Sequence, residues 1–93
     1  MLPENHVMHG RLVRAARVLL GWNQEQLAGT AEVSVGTIRD LENGRSSPRG
    51  RCARAIRRAL EHGGVRFIDA TPEQGQGVRY ERPVSAAREA PEC

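Results

Sequence analysis

Arginine is concentrated in one stretch of this 93-residue chain, and its side chain is suited to binding phosphate. All fourteen basic residues are arginine, against eleven acidic residues, for a net charge of +3. A codon bias would also produce a chain without lysine, so the positions of the arginines carry the argument. Residues 39–58 have a local charge of +5, whereas residues 69–93 sum to −2. Because the planar guanidinium offers five N–H donors, the basic stretch is suited to phosphate contacts.

Side chains that support catalysis or bind metal ions are few and are not spaced for either task. Cys52 and Cys93 form no metal-ligating or redox spacing. His6 and His9 are two ligands in a polar segment, with nothing placed to complete a zinc site. Cys52 shares a helical stripe with Ile56, so we expect a buried thiol that behaves as a small hydrophobe. We therefore expect no enzymatic activity, no metal and no cofactor.

The length allows one domain and leaves no room for a second domain with its own core. No run approaches the roughly 18 apolar residues that a membrane span needs, and no cleavable signal precedes the first periodic segment. We expect a cytoplasmic protein that makes no membrane contact.

Hydrophobic periodicity predicts four helices in a small, mainly α bundle. The first begins at Arg11 and is stopped by Gly21. The second covers residues 24–31, with Asn23 as the N-cap and Gln26 placed to complete a capping box. The apolar stripe of the first helix is Leu12, Ala15, Ala16 and Leu19. The remaining signals are Ser34 as cap and Gly44 as stop of the third helix, and Ser47–Pro48 as start and Gly63–Gly64 as end of the fourth.

Beyond residue 64 the periodicity changes from 3.6 to 2, which predicts an appended C-terminal β-hairpin. Its alternating apolar residues are Val65, Phe67, Val78 and Tyr80. An isolated hairpin is marginal in water, so this one must pack on something. It either covers the helical core or contacts a second copy or another partner through these four side chains. We therefore divide the chain into a flexible leader 1–9, a helical domain 10–63, the hairpin 64–81 and a flexible tail 82–93.

The most informative segment is Trp22–Gly44, WNQEQLAGTAEVSVGTIRDLENG. It contains two short helices joined by the three residues 32–34, which is the length of a helix-turn-helix. Any helical hairpin in a small α domain has similar spacing, so spacing alone leaves DNA binding open. The apolar residues placed to form the shared core are Leu27, Ala28, Val33, Ile38 and Leu41.

Over residues 10–62 the chain resembles the Cro-like phage-repressor (XRE) helix-turn-helix regulators, and residues 64–80 are similar to an extension of some small bacterial members. The matching motifs are Arg14-Ala15-Ala16-Arg17, Leu19-Leu20-Gly21-Trp22, Asn23-Gln24-Glu25-Gln26-Leu27-Ala28, Val33-Ser34, Thr37-Ile38 and Leu41-Glu42-Asn43-Gly44. The resemblance implies a lambda-repressor-like helical domain that regulates transcription and binds double-stranded DNA as a homodimer.

The resemblance also implies which residues contact DNA. The base-facing set is Ser34, Val35, Gly36, Thr37 and Asp40. The phosphate-facing set is Gln24, Asn43, Arg45, Arg49 and Arg51. The physics agrees for Gln24, because an amide and free backbone N–H groups at a helix N-terminus suit phosphate.

The base-facing set departs from what base recognition requires. Bidentate readers of guanine or adenine are Arg, Asn or Gln, whereas Val35, Gly36 and Asp40 stand here. Binding is then weakly specific or leans on DNA shape. The turn position that usually holds glycine is Glu32, at a cost of roughly 1 kcal/mol. The alternative function is a protein-binding antiactivator or antitoxin-like module that uses the same scaffold and the hairpin to inhibit a regulatory partner.

Overall fold

The structure, a computed structural model, describes residues 9–46 and 50–83. These residues form four helices and one two-stranded antiparallel sheet, which confirms the predicted mainly α bundle with a C-terminal hairpin. The predicted leader and tail lie almost entirely outside the described residues, as do Ser47 and Pro48. The elements are α1 Gly10–Leu20, α2 Gln24–Ala31, α3 Val35–Glu42, α4 Gly50–Gly63, β1 Val65–Ile68 and β2 Gly77–Tyr80.

Local signals end α1 and begin α2 where the sequence predicts. Gly21 adopts a left-handed φ of 71°. Its backbone N–H donates to the Val18 carbonyl, and the N–H of Trp22 donates to the Arg17 carbonyl, which ends α1. At the start of α2, Asn23 Oδ1 accepts from the Gln26 backbone N–H at 2.7 Å, and Gln26 Oε1 accepts from the Asn23 N–H at 2.7 Å. The predicted capping box is therefore present.

The turn between α2 and α3 is built around a non-glycine residue in the left-handed region. Glu32 has φ 62°, as its position in the predicted turn requires. The next N–H, that of Val33, donates to the Ala28 carbonyl at 3.0 Å. Ser34 then caps α3 by accepting from the Thr37 N–H at 3.1 Å. The turn thus reverses the chain within three residues and fixes where α3 begins.

A single core lies among the four helices and β1. The predicted helix-turn-helix core is confirmed: four of its residues are buried, and Val33 is half-buried against them. Trp22 is also half-buried and lies beside Gly63, so it closes the end of α1 onto the end of α4. The largest fully buried side chains are Val13, Leu27, Ile38, Leu41, Ile56, Leu60 and Val65.

Two of the residues predicted to be buried are exposed. On α1 the buried residues are Val13 and Ala16, while Ala15 is exposed. On α4, Cys52 is exposed rather than buried. The buried side of α4 runs through Ile56, and successive residues are about 100° apart around a helix. Cys52, four residues before Ile56, therefore lies on the same side of α4 but in its first turn, one turn before the first buried residue.

The hairpin packs on the helices with the predicted side inward. Val65 pairs with Tyr80 and Phe67 with Val78, so these four side chains share one face of the sheet. β1 packs against α4 and β2 against α1. Val65 is fully buried, and the Tyr80 hydroxyl donates to the carbonyl oxygen of Leu19 at 2.8 Å. The hairpin therefore covers the helical core.

Gly10, the first residue of α1, lies directly against the end of α3. A Cβ there would overlap the Leu41 carbonyl oxygen and come within 3.1 Å of the Glu42 Cα. Gly10→Ala is therefore expected to lower the free energy of unfolding by about 1–3 kcal/mol, through overpacking against backbone. Gly29 lies inside α2 with open space around its Cβ position, so Gly29→Ala is the control and should stabilise by up to about 1 kcal/mol. Urea unfolding measures both; equal destabilisation by the two variants would contradict the close approach.

Candidate nucleic-acid interface

A buried carboxylate at the end of α3 joins three helices. The Glu42 side chain has 0% exposure. Arg17 of α1 donates from Nε to Glu42 Oε2 at 2.8 Å and from Nη2 to Oε1 at 2.9 Å. Gln24, the first residue of α2, donates from Nε2 to Oε1 at 3.1 Å. One carboxylate therefore holds the start of α2 and the end of α3 against α1.

The same guanidinium also holds the corner between α1 and α2. Arg17 donates from Nη1 to the Trp22 carbonyl oxygen at 2.9 Å, which satisfies a backbone acceptor in that corner. Arg14 Nε approaches Glu42 Oε1 at 3.5 Å from the solvent side, with 54% of its side chain exposed. The contacts between Glu42 and Arg17 are thus shielded from water, whereas the contact with Arg14 is partly exposed to it.

The sequence analysis missed Glu42, which it treated only as a charge within a motif. A signal was available on α1. Arg17 follows the buried Ala16 directly and lies one turn from the buried Val13, on a side of the helix where an unpaired guanidinium is costly. A carboxylate from another element is the usual solution, because buried charges are paired. The sequence pattern does not indicate which acidic residue supplies this carboxylate.

The two charged groups shift each other's ionisation. Burial by itself raises the pKa of Glu42, but the hydrogen bonds from Arg17 and Gln24 and the charge of Arg17 outweigh burial and hold that pKa below its ordinary value of 4.5. The hydrogen bond with Glu42 raises the pKa of Arg17 above its usual value, against an opposing contribution from burial. Both side chains are therefore charged at neutral pH, and the pair persists.

The residues expected to face bases divide into exposed and half-buried residues. Ser34 and Asp40 are exposed. Thr37 is half-buried, and its hydroxyl lies 2.9 Å from the Ser34 hydroxyl, within the cap of α3. Gly36 is half-buried, and Val35 is half-buried against the core, so it presents only part of its side chain outward. The outer surface at the start of α3 is therefore polar and small.

Four of the five residues expected to face phosphates are described, and they lie at four places along the chain. Gln24 is half-buried in the Glu42 network, and Asn43 is the exposed C-cap of α3. Arg45 is exposed in the following loop, and Arg51 is exposed in the first turn of α4. Arg49 lies outside the described residues. Their contact with DNA stays a prediction.

Arg39, next to Asp40 in the chain, is a further candidate that the sequence did not single out. Both side chains are exposed, yet within residues 9–46 and 50–83 the structure contains no ion pair between them. Arg39 lies three residues after Gly36 and Asp40 four, on the outward side of α3 opposite Ile38 and Leu41. The exposed surface of α3 thus carries a guanidinium that is free to meet an external acceptor.

Three of the four hairpin residues expected to contact a partner are buried or half-buried against the helices, and the fourth is exposed. Val65 is buried to 1% exposure, so its side chain is taken up by the core. Phe67 and Val78 are half-buried against that core, and the Arg57 guanidinium lies 5.3 Å from the centre of the Phe67 ring. Tyr80 is 39% exposed. For the last three, a contact with a partner stays a prediction.

A protein-family model described as helix-turn-helix matches residues 13–61, slightly more than half of the chain. The match begins within α1, includes α2 and α3, and ends within α4, just before the hairpin. A search of curated proteins finds no match to the chain.

Two negative findings concern the described residues. In the ranges 9–46 and 50–83, no helix is long and apolar enough to cross a bilayer. The same ranges contain no group of three or more His, Cys, Asp or Glu residues arranged to hold a metal ion.

Removing the buried carboxylate should cost far more than removing an exposed one. Glu42→Gln leaves the Arg17 guanidinium without its counter-ion, so we expect the free energy of unfolding to fall by about 3 kcal/mol. Glu61→Gln removes the exposed i,i+4 partner of Arg57 and is the matched control, with an expected loss of about 0.5 kcal/mol or less. Urea unfolding at neutral pH compares the two, and similar losses would contradict the structural role of Glu42.

The acid limb of stability provides an independent readout of the same pair. Because the pKa of Glu42 is lowered in the folded state, its contribution is complete above its ordinary value of 4.5 and is lost as the pH falls through the lower, folded pKa. Wild type should therefore lose stability below pH 4.5 more steeply than Glu42→Gln does. Parallel pH profiles for the two proteins would show that another group controls the acid transition.

Proposed function

The chain belongs to the Cro/C1-type helix-turn-helix family, and from this premise we propose that it is a transcriptional regulator that binds double-stranded DNA with α3 in the major groove. The observation that carries the proposal is the exposure of Arg45 and Arg51, just after α3. Neither forms an ion pair within the described residues. Arginines that lack internal partners and flank a recognition helix are suited to DNA phosphates.

Phosphate contacts position the domain on the duplex. The Gln24 amide has two N–H donors, and only one is needed for Glu42. The buried network therefore holds this amide at the N-terminus of α2 with one donor left for a phosphate oxygen. Asn43, Arg45, Arg49 and Arg51 supply the remaining backbone contacts. These contacts carry affinity and no direct sequence information.

Base reading depends on few side chains. We infer that Arg39 is the principal reader, since arginine pairs bidentately with guanine O6 and N7. Asp40 accepts from a cytosine amino group, while Ser34 and Thr37 contact edges at the start of the helix. With Val35 turned partly to the core and no side chain on Gly36, the rest of the selectivity rests on DNA shape.

A symmetric DNA site requires two copies of the chain. As a homodimer, the protein places its two α3 helices in successive major-groove segments, with half-sites about 34 Å apart.

A second candidate function is binding of a regulatory protein, as in an antiactivator or antitoxin-like module. The observation that favours it is an apolar groove lined by α1 and β2, which takes no residue from α2 or α3.

DNA affinity should depend steeply on salt, and the loop arginine should contribute to that dependence. Arg45→Ala is expected to reduce the slope of log affinity against log salt by about one, because one phosphate contact is lost. Arg66 is also exposed and lies on β1, so Arg66→Ala is the control and should leave the slope unchanged. Fluorescence anisotropy with a labelled duplex measures both. Affinity that does not change with salt would rule out the proposed DNA binding.

Selection of binding sites from a random duplex library distinguishes residues that recognise bases from residues that contact phosphates. Arg39→Ala should lose the preference for guanine at one position of each half-site, with about 1–3 kcal/mol less discrimination there. Arg45→Ala should keep the wild-type sequence preference with weaker binding overall. An unchanged preference after Arg39→Ala would show that Arg39 contacts backbone or solvent only.

A further inference from the structure

We propose that a groove between α1 and β2 docks an acidic segment of a partner protein that inserts an apolar side chain. The groove has a volume of about 470 Å³. Its lining residues are Arg11, Arg14, Ala15, Val18, Leu19 and Val78. None of them belongs to the surface proposed for DNA, so the site is separate from DNA binding.

The apolar part of the groove is left open by the way the hairpin is anchored. The Tyr80 hydroxyl bonds the Leu19 carbonyl and seats β2 along one side of α1. Leu19 and Val78 are half-buried there and form the apolar floor. Val18 stands beside them with 64% exposure, the largest value among the exposed large hydrophobic residues of the described chain. An apolar side chain of a partner would remove this surface from water.

The charged part of the groove calls for carboxylates. Arg11 is exposed and forms no ion pair within the described residues. Arg14 is 54% exposed and touches Glu42 only at 3.5 Å, while Arg17 forms the short bonds to that carboxylate. No acidic residue lines the groove. The guanidiniums of Arg11 and Arg14, which form the rim of the groove, are therefore available to a negatively charged partner.

The charge pattern selects among possible occupants. A second copy of the chain would present the same lining in a two-fold contact, bringing more arginines and no carboxylate. Duplex DNA would neutralise the rim but would leave Val18 and the apolar floor without a partner. An acidic peptide segment with an apolar anchor satisfies both parts at once.

The spacing along α1 constrains the partner further. Arg11, Arg14 and Val18 lie at i, i+3 and i+7 and so share one side of the helix. At 1.5 Å per residue, the two arginines lie about 6 and 10 Å along the helix axis from Val18. The partner's carboxylates should therefore lie about two or three residues from its anchor in an extended segment, or one to two turns away in a helix.

The experiment selects peptides from a displayed random library on the full chain, with counter-selection on Val18→Asp. Peptides that bind wild type and not the variant should be enriched in an apolar residue with acidic residues at the spacing given above. Enriched peptides that lack net negative charge would overturn the proposal, and so would a selection in which wild type and Val18→Asp retain the same peptides.

Affinities of one selected peptide then separate the two parts of the groove. Val18→Asp should weaken binding by at least about tenfold, as expected for loss of a central apolar contact. Arg11→Glu should weaken it at low salt, with a smaller effect at high salt. The matched controls are Ile68→Asp and Arg66→Glu, the same kinds of change at exposed positions of β1, and both should bind like wild type. Equal losses in the controls would overturn the assignment to this groove.

Three further outcomes distinguish this site from the DNA surface and from other occupants. Affinity for a labelled DNA duplex should be the same for wild type and Val18→Asp; a large loss would mean that the groove belongs to DNA binding. A wild-type dimer that Val18→Asp converts to monomer in sedimentation would identify a second copy as the occupant. Contacts between the Val18 methyl groups and residues 84–93 in NMR spectra of the full chain would identify the chain's own C-terminal segment. Either occupant would overturn the proposal.

Discussion

The buried pair of Arg17 and Glu42 is the constraint on which the arrangement of the first three helices depends. A fully buried carboxylate must be paired, and its partners here come from two other helices. The hydrogen bonds have directions, so they specify how the end of α3 sits against α1, whereas apolar contacts alone would allow sliding. The same guanidinium satisfies the Trp22 carbonyl at the α1–α2 corner. One interaction therefore organises the three helices that carry the proposed DNA surface.

The two proposed surfaces lie on different helices. Ile38, Leu41 and Glu42 face inward, which leaves Arg39 and Asp40 outward on α3. On α1, the hairpin covers part of the helix and leaves Val18 in solvent. The molecule thus offers a polar, basic surface at α3 and a mixed apolar and basic groove at α1. The first suits a regular polyanion, and the second suits a protein segment.

Local features of the fold were predictable because short-range physics decides them. The Asn23–Gln26 capping box, the Ser34 cap and the left-handed turn at Glu32 depend on residues within one helical turn, and all three are present. Burial of particular residues was less predictable. Cys52 was expected in the core and is exposed, because it lies in the first turn of α4 and the packing of the helices decides how far along α4 the core extends. Ala15 is exposed because packing also decides how α1 is rotated about its axis.

The sequence by itself determined the order of helices and hairpin, the length of the turn and the basic stretch after α3, because periodicity, caps and charge are properties of neighbouring residues. Only the tertiary structure decided that Glu42 is the partner of Arg17, that Arg39 is free of Asp40, and that the apolar face of the hairpin belongs to the core. The first and third depend on contacts between side chains on different elements, and the second depends on where two neighbouring side chains point around α3. Pairing a buried charge depends on which of several carboxylates the fold brings within hydrogen-bond distance, and that distance exists only once the helices have packed.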